Sequence, residues 1–462
     1  MASCRLLHRL TDYSFPAIIF FMRKNTPLAP FWQNFHDLFR WLRPGLGVKR
    51  WLFFILMGIT LLGLGFAVIL IELYRTDSTN QTLLTILSYA SLRFMPRVWR
   101  AIIFGGLGIG IVGYSVLKLN RFLLRPFIRP GEDVFNQLTE FQRRERGPRI
   151  AAIGGGHGLS TLLRGLKVHT KNLTAIVTVA DDGGSSGRLR ETFGILPPGD
   201  IRNCLAALSN DEDMLTQLFQ YRFSGSPDLE GHSFGNLFIT ALADITGSFE
   251  SAVVESGRVL SINGRVLPST LNDVKLVASM ELPHSLNEVR VEGESQIPKM
   301  AGRVRRVWLE PDDAPAFPPV IRELLSADII VVGPGSLYTS LLPNLLVHDV
   351  LASIRVSRGV KIYVCNIATQ SGETDAFTCY DHVHSLEGHV GEEVFDVILC
   401  NDNYRGELGT KSRWVIADEK TLSDTRTYCT DLVDEAHPWR HDPLKLAQVI
   451  LDIFYERTGP LN

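Results

Sequence analysis

The feature that most constrains this chain is the stretch 149–190, RIAAIGGGHGLSTLLRGLKVHTKNLTAIVTVADDGGSSGRLR, in which two apolar runs each end in glycines. The first run, 150–153, stops at Gly154, Gly155, Gly156 and Gly158, after which leucines recur at helical spacing as far as Leu166. That spacing predicts a strand, a tight turn and a helix. Glycines leave room for a ligand to approach the backbone, and the free amides at the start of the new helix favour an anion at the turn. The second run, 175–180, ends in Asp181 and Asp182, followed by Gly183, Gly184, Ser185, Ser186 and Gly187. Open parallel sheets bind ligands at the carboxyl ends of their strands, so the acid pair is expected to face the glycine turn across one crevice. The pair suits a ribose hydroxyl or a divalent metal held near phosphates. GGGHG departs from GxGxxG, and such a turn can merely close a strand onto a helix; the acids are what favour a phosphate or nucleotide role.

Further motifs point the same way. In ILPPGDIRNCLAALS, Asp200 is expected to cap a helix that carries Arg202 and Asn203 in its first turn. An arginine at the positive end of a helix is unfavourable unless an anion lies close, and either a phosphate or a carboxylate would serve; an exposed arginine behind an ordinary cap is the alternative. GHSFGNLFITALA opens another helix with His232, Ser233 and Asn236. There His232 either meets a phosphate, works as an acid or base, or simply hydrogen-bonds the helix start. DIIVVGPGSLYTSLLPNL repeats the strand, turn and helix pattern at Gly333, Pro334, Gly335 and Ser336, with Thr339 offering a second hydroxyl. In NIATQSGETD, Gln370, Glu373 and Thr374 are candidates for contact with a sugar or an acceptor, whereas His382, His384 and His389 lack the partners of a metal site and are expected on a solvated helix face. No GxSxG elbow is present and no cysteine stands beside a plausible base, so nucleophilic catalysis has little support.

The 462 residues suffice for more than one domain, and a formal charge of -2 gives no electrostatic case for nucleic acid as a partner. The six cysteines, Cys4, Cys204, Cys365, Cys379, Cys400 and Cys429, form no CxxC pair and are expected to be reduced and mostly buried. Residues 1–50 are basic and aromatic, and read equally as an interfacial anchor or as residues with little structure added by an upstream start site. The run 51–71, WLFFILMGITLLGLGFAVILI, is long enough to cross about 30 Å of hydrocarbon as a helix. A glycine-rich apolar run follows at 101–119, so 51–120 is expected to form a two-helix transmembrane hairpin. Basic residues on both flanks place its ends in the cytoplasm, although Arg75, Arg93, Arg97 and Arg100 lie in the intervening loop. A charged linker, 121–148, leads to a soluble domain, 149–462. There, short apolar runs alternate with helical patterns, which predicts an α/β, Rossmann-like, mostly parallel sheet with helices on both faces. Strands are expected at 150–153, 175–180, 274–280, 304–309, 328–332, 361–366 and 394–400.

Taken together, AAIGGGHGLSTLLRGLK, VTVADDGGSSGRLR, GILPPGDIRNCLAALS, GHSFGNLFITAL, VLPST, GPGSLYTSLLPNLLV and NIATQSGETD resemble the gluconeogenesis factor (YvcK-like) family, which is related to the 2-phospho-L-lactate transferase (CofD) enzymes. The resemblance spans about 149–455. It implies a Rossmann-like fold, binding of UDP-sugars such as UDP-glucose and UDP-N-acetylglucosamine, and a role in cell shape and envelope synthesis. It brings no settled catalytic activity and no cofactor. The transferase branch would add a nucleoside diphosphate carrier, a phospholactyl-like group to transfer and a magnesium ion, with Asp181 and Asp182 matching its acidic pair. On this reading Gly154, Gly155, Gly156, Gly158, Asp181, Asp182, Gly183, Asp200, Arg202, Asn203, His232, Asn236, Gly333, Gly335 and Ser336 contact the nucleotide. The expected partners are a UDP-sugar or other nucleoside diphosphate, the membrane and a further copy of the chain in a homo-oligomer, with no nucleic acid. The usual members are soluble. A multi-pass membrane protein with its soluble domain in the cytoplasm is what this chain adds.

Overall fold

A computed structural model of the chain describes residues 144–459, apart from 210–212, 226–228, 283–286, 301 and 411, together with most of 92–124 and isolated positions between 56 and 89. The chain divides into two compact units, Met1–Thr139 and Glu140–Asn462.

In the first unit, helix α1 (Arg97–Leu124) contains the whole of the apolar run expected at 101–119. Its side chains Ile102, Leu107 and Ile109 are exposed. The run 51–71 lies mostly outside the described residues, as do 1–50 and most of the linker 121–148. Among the described residues no single helix is long and apolar enough to cross a membrane, and the apolar stretch of α1 that meets the composition test is only Gly105–Tyr114. The expected transmembrane hairpin is therefore not found among the described residues.

The second unit contains strands β1 (Ile150–Gly154), β2 (Leu173–Val177), β3 (Arg265–Pro268), β4 (Lys275–Glu281), β5 (Val289–Glu292), β6 (Arg303–Glu310), β7 (Ile329–Val332), β8 (Val360–Val364), β9 (Val397–Asn401) and β10 (Thr427–Thr430). Its longer helices are α2 (Gly156–Leu166), α3 (Gly184–Phe193), α4 (Gly199–Leu208), α5 (Asp213–Gln220), α6 (Phe234–Thr246), α7 (Phe249–Val259), α8 (Pro318–Ser326), α9 (His348–Val356), α10 (Cys379–Val390) and α11 (Pro443–Thr458). Seven strands form one sheet in the order β10-β9-β8-β7-β1-β2-β3, every pair parallel. The chain winds outward from β1 through β2 to β3, then returns to the other side of β1 with β7. The carboxyl ends of β1 and β7 therefore form the topological switch, where a doubly wound sheet opens a crevice.

Burial on both faces explains why the central strands read as unbroken apolar runs rather than alternating ones. Ile150 and Ala152 pack with Leu159, Leu162, Leu163 and Leu166 of α2, with Ile201 and Leu205 of α4 and with Ile450 of α11. Ala151 and Ile153 point into the opposite layer, with Val320 of α8, Ile354 of α9 and Leu386 of α10. Each fully buried leucine of α2 contributes roughly 1.5–3 kcal/mol of hydrophobic stabilisation.

Two sequence expectations need correction here. The segments expected as strands at 274–280 and 304–309 are extended, but they form β4 and β6 of a separate antiparallel sheet, β5-β4-β6, that packs on the second layer through Leu276, Ala278 and Val307. The cysteines are not all reduced, because Cys379 and Cys400 are joined in a disulfide.

Candidate functional site

The two glycine turns meet at the switch. At the end of β1, Gly155 is extended and Gly156 takes φ +59°, which starts α2 beneath the turn. A Cβ on Gly158 would lie 2.3 Å from the carbonyl oxygen of Pro334, and one on Gly155 would lie 2.4 Å from Asp200 Oδ2. Glycine is required at both positions because the second turn and an acidic side chain occupy the space a side chain would need. Behind the turns, the buried Asn344 donates to the Gly154 carbonyl at 2.9 Å and to that of Ser340 at 2.8 Å, tying β1 to the π-helical turn Leu337–Leu341. Asn366 clamps Gly335 from the other side, accepting from its amide at 3.1 Å and donating to its carbonyl at 2.8 Å.

Between the turns lies a cavity of about 330 Å³ lined by Gly155, Gly156, His157, Gly158, Thr178, Asp181, Asp200, Glu294, Gly335, Ser336, Thr339 and Ser340. Its character is acidic. Asp181 accepts from the Gly183 amide at 2.8 Å and from Ser186, yet burial raises its pKa. Burial, reinforced by the Asp181 charge, lifts Asp200 to about 7. Burial and the charges of Asp181, Asp200, Glu373 and Asp182 lift Glu294 to about 8. Just behind the cavity, Glu373 is 4 % exposed; it accepts from Thr339 Oγ1 at 3.0 Å and Gln370 Nε2 at 2.7 Å, and burial raises it to about 7.

His157 is the one lining residue under the influence of several arginines. His157 is held below its ordinary pKa by burial and then by Arg440, Arg202, Arg164 and Arg222. Arg202 is buried, and among the described residues its hydrogen bonds go to neutral acceptors: Ser233 Oγ, Asn236 Oδ1 at 3.1 Å and Asn203 Oδ1 at 2.8 Å. Burial and Arg222 lower its pKa to about 10, against the pull of Asp200 and Asp181. Acidic side chains thus line the cavity, while Arg202, Arg164, Arg222 and Arg440 act on it from outside the lining.

The structure brings Gly155, Gly156, Gly158, Asp181, Asp200, Gly335 and Ser336 to this cavity, with Gly154, Gly183 and Gly333 in the backbone just behind. Others go elsewhere. Asp182 is exposed, does not line the cavity and accepts from the Ser295 amide at 2.8 Å, which fastens the β5–β6 loop. Asp200 caps nothing, since Pro198 holds the N-cap position of α4 and the carboxylate of Asp200 instead accepts the Gly156 amide. One of the amides expected to meet an anion is therefore already taken. His232 and Asn236 both bond Ser185 Oγ, at 3.0 and 3.1 Å, in a buried polar network with Arg202 and Ser233 behind the cavity. His382 and His389 leave the solvated face they were expected on: His382 is fully buried, and His389 bonds the Ser385 carbonyl and the Val307 amide, while His384 alone is exposed, stacked on Tyr380.

Sequence reasoning missed Glu294, Thr178 and Ser340. Ser340 follows the second turn by one helical turn and could have been found from that spacing. Glu294 sits in the loop between two strands of the small sheet, where a single sequence carries no signal of proximity to β1.

The donor set is all oxygen, which suits a hard divalent cation rather than a soft one. Among the described residues only a cysteine group places three ligand atoms within 4.8 Å of one another, so these carboxylates stand apart across the cavity. Such spacing fits an ion of the magnesium type, which retains water and takes one or two carboxylates together with ligand phosphates. One or two of Asp181, Asp200 and Glu294 would hold it, with water and ligand phosphates completing its shell.

Residues 150–443, from the first residue of β1 to the first of α11, match the family described as 2-phospho-L-lactate transferase CofD. The chain belongs to that family. Within it, the chain is similar to proteins named gluconeogenesis factor. A putative gluconeogenesis factor of Nostoc sp. is 44% identical over 428 residues, covering 89% of this chain and 92% of the relative. The gluconeogenesis factor of Bacillus subtilis is 44% identical over 324 residues, covering 67% of this chain and 99% of the relative. A crystal structure of a UPF0052 family member from Bacillus halodurans superposes with a TM-score of 0.62 at 42% identity, covering 66% of this chain and 99% of its own. Every residue lining the cavity falls within the span matched to the CofD family.

Proposed function

We propose that the crevice binds a nucleoside diphosphate sugar, of the UDP-glucose or UDP-N-acetylglucosamine kind, through a divalent cation, and that the protein acts as a binding regulator rather than as an enzyme. The observation that carries this reading is the cavity at the β1–β7 switch, lined by Asp181, Asp200 and Glu294, with four arginines close enough to act on its His157. A bare diphosphate entering beside Asp181, Asp200 and Glu294 would meet like charge. A cation held by one or two of those carboxylates reverses the local sign and admits the phosphates. Relatives named gluconeogenesis factor support a regulatory role, and control of cell shape and envelope synthesis belongs to the same proposal. Membrane anchoring with this unit in the cytoplasm belongs to it too, supported by the apolar run 51–71 and the exposed isoleucines of α1.

Calorimetric titration of the full chain with UDP-N-acetylglucosamine, with and without magnesium, tests the core of the proposal. Binding at micromolar concentration that requires the ion is expected; no heat, or binding only in the millimolar range, overturns it. The acid cluster favours one second reading. Carboxyls raised to about 7 and about 8 at Asp200 and Glu294 sit in the range of general acids and bases, as a transferase moving a phospholactyl-like group from a nucleoside diphosphate carrier would need. Cation-dependent release of free nucleotide from candidate donors, lost in Glu294→Gln while binding persists, would decide for it.

A further inference from the structure

The second glycine turn is braced by one loop, 366–378, and that loop begins and ends at cysteines. Asn366 clamps Gly335, Gln370 accepts from Ser336 Oγ at 2.5 Å, and Glu373 accepts from Thr339, so the loop contacts the turn at three places. Cys365 precedes it at the end of β8. Cys379 follows it as the first residue of α10, directly after Thr378, whose side chain forms a capping box with Asp381. The sulfurs of Cys365, Cys379 and Cys400 all lie within 4.8 Å of one another, each residue is at most 1 % exposed, and Cys379 is bonded to Cys400 of β9. Cys429 of β10 stands in register beside Cys400, is only partly buried and packs against the same core. Four cysteines from three neighbouring strands and one helix thus converge at the foot of the loop that shapes the crevice.

We propose that this sulfur cluster is a redox-set latch that fixes the loop 366–378 and, through it, the second glycine turn. In the latched state the Cys379–Cys400 bond pins the start of α10 to the central sheet. A dithiol reductant opens it: two electrons and two protons pass to the pair, giving two thiols, and the reductant leaves as its own disulfide. Cys429 is the entry point, because it alone of the four meets solvent. Its thiolate attacks Cys400 Sγ and releases the Cys379 thiolate, which takes up a proton, and the dithiol then resolves the more accessible Cys400–Cys429 bond. Cys365 supplies a second outcome without net redox change. Its thiolate can displace Cys400 from Cys379, forming a Cys365–Cys379 bond that staples the loop onto itself. Burial raises the Cys365 thiol to about 12, so this exchange is slow and the latch holds its state once set.

The test needs no ligand for the crevice, so its outcome is separate from that of the nucleotide reading. The full chain is equilibrated over a series of reduced and oxidised dithiothreitol ratios, quenched in acid, denatured and alkylated. Intact mass should show a single step between four and six alkylated cysteines of the six in the chain, and peptide mapping should assign the pair to Cys379 and Cys400. Amides of 366–378 should exchange hydrogen about tenfold faster in the reduced protein, with those of β1 unchanged. Cys429→Ser should slow reduction without moving the midpoint, and Cys400→Ser should yield the Cys365–Cys379 bond under oxidising conditions. Cys379→Ala, run beside Cys379→Ser in case the hydroxyl is not tolerated, should show the reduced exchange pattern at every ratio. Six alkylated cysteines throughout, a stoichiometric metal ion held by these thiols in place of any disulfide, or identical exchange of the loop in both states would each overturn the proposal.

Discussion

Asp200 shows how one side chain shapes the crevice. Its carboxylate accepts the Gly156 amide, but burial and the neighbouring Asp181 push its pKa to about 7, while Glu294 and Glu373 rise to about 8 and about 7. In the unfolded chain such groups titrate near 4. The folded protein therefore binds more protons than the unfolded one between those values, and its stability falls as pH rises from about 4 to about 8. Without added metal, the melting temperature should be higher at pH 5.5 than at pH 8.5. Magnesium should narrow that gap, because the cation stabilises the ionised carboxylates. Asp200→Asn should flatten the pH dependence and raise the melting temperature at pH 8.5, by roughly 2–4 °C for each kcal/mol of repulsion removed, while weakening cation binding at least tenfold. A melting temperature that rises between pH 5.5 and 8.5 in the metal-free protein would sink this account. Gly158 makes the opposite point about space: in Gly158→Ala the added carbon meets Pro334 backbone at 2.3 Å, with no flexible side chain able to yield. That variant should lose about 3 kcal/mol or fail to fold, as judged by chemical denaturation. These glycines were legible in the sequence because a run of residues without side chains after a strand has few other uses. The place of Asp182 was not, since nothing in the sequence shows that its carboxylate accepts the Ser295 amide while Asp181 lines the cavity.

At the scale of elements, the crevice depends on β1 and β7 staying in register and on the turns that follow them. Asn344 performs that coupling, with one amide group bonded both to the Gly154 carbonyl and to the π-helical turn. Asn344→Ala would remove one of two donors to the Gly154 carbonyl, which keeps the Thr178 amide at 3.2 Å, at a cost of about 1 kcal/mol. Because the loss falls on the connection between the two turns, hydrogen exchange at Leu337–Leu341 should quicken while α2 and α4 are unaffected; uniform loosening of the whole sheet would show that Asn344 is merely core. The strands of the main sheet were largely legible, because burial on both faces leaves continuous apolar runs that alternate with helical patterns. Their assignment to one sheet was not. β4 and β6 have the apolar character of β1 and β7, and only the pairing partners distinguish an antiparallel side sheet from another parallel strand. β3 and β10 were missed altogether, each four residues at a sheet edge and only partly buried, too short for a period of two to register.

At the scale of the whole molecule, the two units carry separable claims. The B. subtilis and B. halodurans relatives align with about two thirds of this chain yet with 99% of their own length, so the second unit by itself corresponds to entire proteins of the family. The Nostoc relative, matched over 89% of this chain, extends well into the first unit. The fold of the second unit should therefore be indifferent to the presence of the first, to which we assign membrane anchoring. The apolar run 51–71 and the exposed side chains of α1 would bury their surface in lipid, with a transfer free energy that far exceeds what surface charge could supply. On this argument the full chain should sediment with membranes and resist extraction by carbonate or high salt, yielding only to detergent, whereas a chain of residues 140–462 should stay in the supernatant. The two should show the same crevice: equal magnesium dependence of the melting transition and equal nucleotide-sugar affinity within a factor of about two. A full chain released by salt alone would reduce the first unit to an electrostatic contact with the membrane surface. A short chain that has lost its magnesium response would mean that the first unit helps to build the site as well as to place it.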